Sequence, residues 1–205
     1  MGTAERKARE KEELRHLILE GARRLFVQKG IEQTTIRNIA DAIDYSVGTV
    51  YVYFKDKNAI LHALHSRGFQ ELGRQLTVLT SVADPLERLR AMGRIYIRFA
   101  LENRDMYELM FVTKAPMTYL CSVEQAEWPE GTATFDALRT TVRDCMAAGH
   151  FAGSQLEPLT FMIWSAVHGL CSLEISQRIQ GVVQEEATLA VSAAFEEFWK
   201  MLARL

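Results

Sequence analysis

Apolar residues recur at the helical spacing i, i+3, i+4, i+7 along almost the whole chain. Nowhere do they alternate with polar ones over the four to eight residues that a half-buried strand requires. That pattern confines the chain to packed helices, an all-α class of about nine. Leu14, Leu17, Ile18, Gly21 and Leu25 make the first stripe, and Gly30 is its C-terminal stop. Thr34 or Thr35 caps a short second helix whose face is Ile36, Ile39, Ala40 and Ile43. Asp44 tolerates a left-handed turn, and Ser46 caps a third helix by accepting from the amide of Gly48 or Thr49.

Beyond Lys55 a long stripe runs from Ile60 and Leu61 to Leu76, and Asp84 with Pro85 opens a fifth helix carrying Leu89, Met92, Tyr96 and Phe99. "NRDMYELMF" reads as a short sixth helix. Residues 113–132 contain Pro116, Pro129 and Gly131 without a clean period, and read as loop with room for a turn of helix. Helix resumes near Phe135 and runs to Met146. Pro158 starts an eighth helix expected to reach Ile179, and "EEATLAVSAAFEEFWKMLARL" closes the chain as a ninth.

At 205 residues and 48% apolar, the chain can bury one sizeable core, or a small module joined to a larger one. The net charge of -2 announces no nucleic-acid partner, but residues 1–60 carry 11 basic against 9 acidic side chains while the remainder carries 13 against 17. The basic balance therefore lies in the first quarter. Three cysteines without CxxC spacing suggest neither a disulfide framework nor a zinc knuckle, so reduced buried thiols are expected. The charged start has no apolar core or small-residue cleavage site of a secretory leader. The longest greasy run, "LTFMIWSAVHGLC", is short for a bilayer and carries His168, so no membrane partner and a cytoplasmic location are expected.

The stretch "SVGTVYVYFKDK", residues 46–57, carries the functional signal. On a helix, Val47, Val50 and Phe54 fall on one side, while Ser46, Gly48, Thr49, Val52 and Tyr53 face outward with Tyr51 on the flank. That outward side has no acid and no long flexible side chain, which is unusual for a merely solvated face. A two-turn helix, a tight turn and a second short helix form the helix-turn-helix design, whose second helix enters the DNA major groove. Glycine gives clearance, Ser46 and Thr49 supply hydroxyls, and the tyrosines anchor on phosphate or sugar. Arg37 is the candidate for a bidentate guanine contact, and Lys57 with nearby helix-end amides can hold a phosphate. Spacing alone leaves Tyr51 and Tyr53 equally readable as core aromatics.

The order of residues goes further. "TTIRNIADAIDYSVGTVYVYFKDK" resembles the DNA-binding signature of the TetR/AcrR family of bacterial transcriptional repressors, and the resemblance runs from about Leu14 to Leu61. It implies that Thr35, Thr49, Tyr51, Tyr53 and Lys57 meet phosphates and that Arg37 and the Gly48 region approach bases. Asp44 departs from the family's usual glycine, while Tyr45 and Val47 depart from its usual residue types on the side presumed to face DNA. Both are candidate contacts alongside Ser46, so the operator cannot be carried over. Residues 1–55 are the expected DNA-binding domain, with 1–10 a frayed charged tail, and residues 56–205 a ligand-binding and dimerisation domain.

The family likeness also implies a homodimer on a palindromic double-stranded operator, the last two long helices pairing with those of a second subunit. Half-sites then lie one DNA turn, roughly 34 to 36 Å, apart. Phe161, Trp164, His168, Leu170, Leu189, Phe195, Phe198 and Trp199 are the candidate interface. "WSAVHGL" resembles the Trp-His-Gly signature of one C-terminal subfamily. A small-molecule inducer, apolar or amphipathic, is implied, with Met92, Tyr96, Phe99, Met106, Met110, Phe111, Trp128, Phe135, Trp164 and His168 as candidate pocket residues. Each of these also reads as core. His168 is open to the same three uses: dimer-core partner, ligand contact or packed neutral imidazole.

An enzyme is not expected. His62 and His65 form an HxxH without a third ligand at metal spacing and read as solvated, and no phosphate loop or nucleophile elbow is present. No cofactor or metal is called for. A redox role for Cys121 and an all-α interaction module remain the alternative classes.

Overall fold

The computed structural model describes residues 2–122, 128–182 and 187–204. Among these residues there are ten α-helices and no strand: α1 (Thr3–Lys29), α2 (Ile36–Ala42), α3 (Val47–Tyr53), α4 (Lys57–Thr77), α5 (Pro85–Glu102), α6 (Arg104–Phe111), α7 (Ala115–Ser122), α8 (Pro129–Ala147), α9 (Leu156–Ile175) and α10 (Ala187–Leu202). Two short 3-10 turns, Val78–Ser81 and Ile179–Gly181, follow α4 and α9.

The helix added to the expected nine is α7, inside the stretch read as loop. Pro116 sits at the second position of that helix, where its missing amide costs nothing. Residues 123–127 of the same stretch lie outside the described residues, as does the Glu185 end of the last helix. Three boundaries also move. The helix α1 begins at Thr3, where a frayed tail was expected; Glu10 and Glu13 pair with Arg6 and Arg9 one turn earlier. Helix α8 begins at Pro129 rather than near Phe135. Helix α9 stops at Ile175, four residues short of expectation. Gln177 there takes φ 58, and the Arg178 amide donates back to the Leu173 carbonyl at 2.8 Å, a glycine-type stop made by glutamine.

The chain divides into two compact units. One comprises residues 1–68 and 108–127, the other residues 69–107 and 128–205. In the first, Ile18, Leu19, Ala22 and Leu25 of α1 are buried with Ile39 and Ala40 of α2, Ile43 at its C-cap, Val50 of α3, Phe54, and Ile60, Leu61 and Leu64 of α4. Leu17 is partly exposed and Leu19 takes its place in the core. Gly21 lets α1 and α2 approach: a methyl group at its Cα would stand 2.5 Å from Cγ2 of Ile43. Buried Thr34 donates its hydroxyl to the carbonyls of Gly30 (2.8 Å) and Leu25 (3.3 Å), tying the loop to the end of α1.

In the second unit, Leu89 of α5, Val142 and Cys145 of α8, Phe151, Leu159 and Ile163 of α9, and Trp199 and Leu202 of α10 form one cluster. Phe195 lies so close to Gly93 that a Cβ there would fall 2.6 Å from its ring, so α5 and α10 meet at that point. Arg94 pairs with Glu196 of α10 at 2.8 Å, and Arg90 pairs with the other carboxylate oxygen. Helix α9, at twenty residues, is long and apolar enough to cross a membrane by length and composition, longer than the greasy run in the sequence. A buried glutamate, Glu174, nevertheless belongs to it, paired with Arg104 at 2.7 Å.

Candidate nucleic-acid interface

Local hydrogen bonds fix the two short helices. Thr35, not Thr34, caps α2: its hydroxyl accepts from the Asn38 amide at 3.1 Å, and the Asn38 side chain accepts from the Thr35 amide at 3.1 Å. The turn that follows puts Asp44 at φ 58 and returns the Tyr45 amide to the Ala40 carbonyl at 3.0 Å. Aspartate tolerates this left-handed conformation without glycine. Ser46 then caps α3 by accepting from the Thr49 amide at 3.0 Å.

Those constraints turn one side of α3 outward. Val50 and Phe54 are buried; Val47, Thr49 and Tyr53 are half-buried; Ser46 and Gly48 are exposed. Tyr45 is 44%, Tyr51 54% and Val52 76% exposed. Arg37 stands exposed on the first turn of α2. The tyrosine rings at 51 and 53 are thus not sealed in the core. Around Gly48 there is open space, since a Cβ would meet only Ser46 Oγ at 3.7 Å. A glycine inside a helix with no crowding weakens it by roughly 0.5–1 kcal/mol relative to alanine. Packing within the chain does not ask for it.

Four expected contacts have internal partners. Ser46 Oγ and Thr49 Oγ1 lie 2.8 Å apart, and Thr35 Oγ1 donates to Asn38 Oδ1 at 2.9 Å, so these hydroxyls serve the helix caps first. Lys57 donates from Nζ to the Ile31 carbonyl at 2.8 Å. At the same helix start, the Asp56 carboxylate accepts from the Ala59 amide at 2.8 Å, placing an anion where a phosphate was expected to share the amides. Val52, the most exposed side chain of α3, was not among the candidate contacts; the helical wheel that sets Val50 and Phe54 inward puts it at the opposite pole.

The second unit gathers part of the candidate pocket set. The hydroxyls of Tyr96 and Tyr107 each lie 2.9 Å from Nδ1 of His168, and Tyr107 also donates to the His168 carbonyl at 3.1 Å. Trp164 lies beside His168, ring centroids 5.8 Å apart, with Phe135 and Phe161 edge-on to the indole. Burial raises the phenol pKa values of Tyr96 and Tyr107 and lowers that of His168, so the cluster is neutral around pH 7. Met92, Phe99 and Met106 are buried, and Trp128 packs edge-on against Phe69 at 4.9 Å. Met110 and Phe111 belong to the other compact unit. Tyr107 was missed; its only signal was its place one turn after Arg104.

Of the candidate interface residues, Phe161 and Leu189 are exposed, and Leu170 and Phe198 are half-buried. Trp164 and His168 face the aromatic cluster. Phe195 and Trp199 are buried within their own unit, because Phe195 fills the space at Gly93 and Trp199 the central cluster, so neither offers an outer face. The exposed apolar side chains on the last two helices are instead Phe161, Met162 and Leu173 of α9 with Leu189 and Met201 of α10.

His65 is buried and His62 half-buried beside the Tyr119 ring at 5.3 Å, a correction to their reading as solvated. Among the described residues no three His, Cys, Asp or Glu side chains converge as metal ligands. Burial pushes the Cys145 thiol up to about 11 and Cys171 to about 12, which keeps both protonated. Cys121 is exposed.

Known proteins share both ends of the chain. Residues 18–64 match the family described as bacterial regulatory proteins, tetR family, and residues 89–198 match the tetracyclin repressor-like C-terminal domain. The HTH-type transcriptional repressor KstR2 of Mycobacterium tuberculosis is 35% identical over 77 residues, 37% of this chain and 38% of that protein. The HTH-type transcriptional regulator AcrR of Shigella flexneri is 26% identical over 152 residues, covering 71% and 70% of the two chains. Of KstR2, and of several other curated relatives, the chain spans half the length or less. A solved protein of unknown function from Rhodococcus sp. RHA1 shares the fold, with a TM-score of 0.74 at 24% identity over 93% of this chain and 95% of that one. With the C-terminal match alone spanning more than half of its residues, the chain belongs to the TetR family of bacterial transcriptional regulators.

Proposed function

We propose that the protein is a cytoplasmic transcriptional repressor that binds a palindromic operator as a homodimer through α2 and α3 and leaves it when an apolar or amphipathic small molecule binds. The observation that carries the DNA-binding reading is the outer side of α3. Residues 45–54 contain no charged side chain, yet Tyr45, Gly48, Tyr51 and Val52 stand open to solvent, and nothing inside the chain requires a glycine at 48. A close-fitting, uncharged ridge with Arg37 beside it suits a major groove. Residues 1–55 form the DNA-binding part and residues 56–205 hold effector and dimer contacts.

The open apolar side chains of α9 and α10 support the dimer: helices with Phe161, Met162 and Leu173 in water gain by pairing with a second copy. The cluster around His168 supports an effector site, and Trp164, His168 and Gly169 support assigning the chain to a Trp-His-Gly subfamily. Repression is relieved only if the effector binds the DNA-incompetent conformation more tightly than the competent one. Relatives matched along the chain are transcriptional regulators, which agrees with a non-enzymatic role.

A gel-shift titration of the purified protein against its own promoter region tests the reading. Binding in the nanomolar range that weakens steeply with added salt, and survives excess random DNA, is the expected result. Equal affinity for promoter and random duplex would refute it.

A further inference from the structure

We propose that Val52 is a base-reading residue whose isopropyl group packs on the 5-methyl of a thymine in each operator half-site. The inference rests on the DNA-binding role of α3 argued above and specifies what that helix reads.

The helix has little else to read with. Residues 45–54 include no Arg, Lys, Asn, Gln, Asp or Glu, the side chains that make bidentate hydrogen bonds to base edges. Its two aliphatic hydroxyls are turned to one another, Ser46 Oγ lying 2.8 Å from Thr49 Oγ1 while accepting from the Thr49 amide at 3.0 Å. Arg37, on α2, is left as the charged candidate beside it. At the pole of α3, opposite buried Val50 and Phe54, stands Val52, 76% exposed.

A valine left 76% exposed gains little from packing within the chain, and a β-branched residue is a poorer helix former than alanine or the long polar residues usual on a solvated face. It is also stiff, with one strongly preferred rotamer in a helix, so its methyl groups are held in position before any partner arrives. The major groove presents one apolar feature to such a group, the thymine 5-methyl. Open space at Gly48, four positions earlier and on the same outward side, lets the backbone come close enough for so short a side chain to reach.

Uracil tests this, because it pairs as thymine does and lacks only the methyl group. The intact protein would first select its preferred duplex from a randomised pool. Each thymine of that duplex is then replaced by uracil, symmetrically in both half-sites, and binding is compared for wild type and Val52→Ala. Wild type should lose about fourfold affinity per half-site at one symmetric thymine position, the value of one buried methyl group. Val52→Ala should be indifferent to the same replacement while melting at or slightly above the wild-type temperature.

If no uracil replacement weakens the wild type, or if Val52→Ala keeps the full uracil penalty, Val52 does not read thymine. If no preferred sequence emerges from the pool, the DNA-binding reading itself fails and takes this inference with it, a result distinct from the other two.

Discussion

Lys57 Nζ donates to the backbone carbonyl of Ile31 at 2.8 Å, joining the first turn of α4 to the loop after α1 across 26 residues of sequence. A side chain taken from sequence alone as a phosphate anchor is therefore also a tie within the first compact unit. A half-buried hydrogen bond from a charged donor contributes about 1.5 kcal/mol. Lys57→Ala should lower both the melting temperature and the affinity for every duplex, and reduce the slope of log affinity against log salt by about one. Unchanged stability with weakened binding would mean that the Ile31 contact carries no weight.

Thr35→Ala and Gly48→Ala should separate folding from binding in opposite senses. Thr35 closes a reciprocal cap, so its loss should cost ~1 kcal/mol of stability before any DNA is present. Gly48 meets no obstacle, so alanine there should raise stability by ~0.5–1 kcal/mol while weakening operator binding by filling the clearance. Thermal melts beside binding curves decide it, and a Gly48→Ala protein that binds as tightly as wild type removes the clearance argument.

How much was legible in the sequence follows the range of each interaction. The period-3.6 stripe exposed Ile39, Ala40, Val50 and Phe54 as core because a short amphipathic helix has only one face to bury. Ser46 and Asp44 were readable because capping and left-handed turns are local chemistry. The tie from Lys57 to the Ile31 carbonyl was not legible because Ile31 is distant in sequence. Gln177 ended α9 without any of the usual stop residues, and helix α7 lay in a stretch whose prolines argue for loop but fit a first turn. In the second unit Phe195 and Trp199 looked like interface because a helix greasy on more than one stripe does not reveal which stripe faces its own core. Gly93, which draws Phe195 inward, is a hundred residues away.

Gly21 sets the approach of α1 to α2. A methyl group there would stand 2.5 Å from Ile43 Cγ2, and a buried β-branched side chain at the C-cap of a short helix has little freedom to withdraw. Gly21→Ala should therefore destabilise by about 1–3 kcal/mol, against the usual gain from glycine to alanine in a helix. Adding Ile43→Ala should recover part of the loss if the clash is the cause. Chemical denaturation of the two variants measures both, and a stabilised Gly21→Ala would show that the helices part without strain.

His168 should impose a pH dependence. Burial lowers its pKa in the folded chain below the ordinary value of about 6.5, so in the window between the two values the unfolded chain binds a proton that the folded chain does not. Stability contributed by the neutral ring is complete above the unfolded value and declines as pH falls toward the folded one. His168→Gln should flatten that part of the curve of unfolding free energy below about pH 6.5. Identical slopes for the two proteins would place the sensitivity elsewhere.

The outer faces of α9 and α10 should distinguish dimerisation from core packing through a matched pair of substitutions. Phe161 is open to solvent and Phe195 is sealed against Gly93, although the two look alike in sequence. If the open face is where a second copy sits, Phe161→Glu places a charge in an apolar interface and should give a folded monomer by sedimentation, with its melting behaviour altered only through lost association. Phe195→Ala should instead lower stability by about 3–5 kcal/mol through the cavity it leaves. The monomer should also lose operator affinity by more than tenfold, because each recognition helix then binds its half-site without a linked neighbour. A Phe161→Glu protein that sediments as a dimer at micromolar concentration would move the subunit contact to another surface.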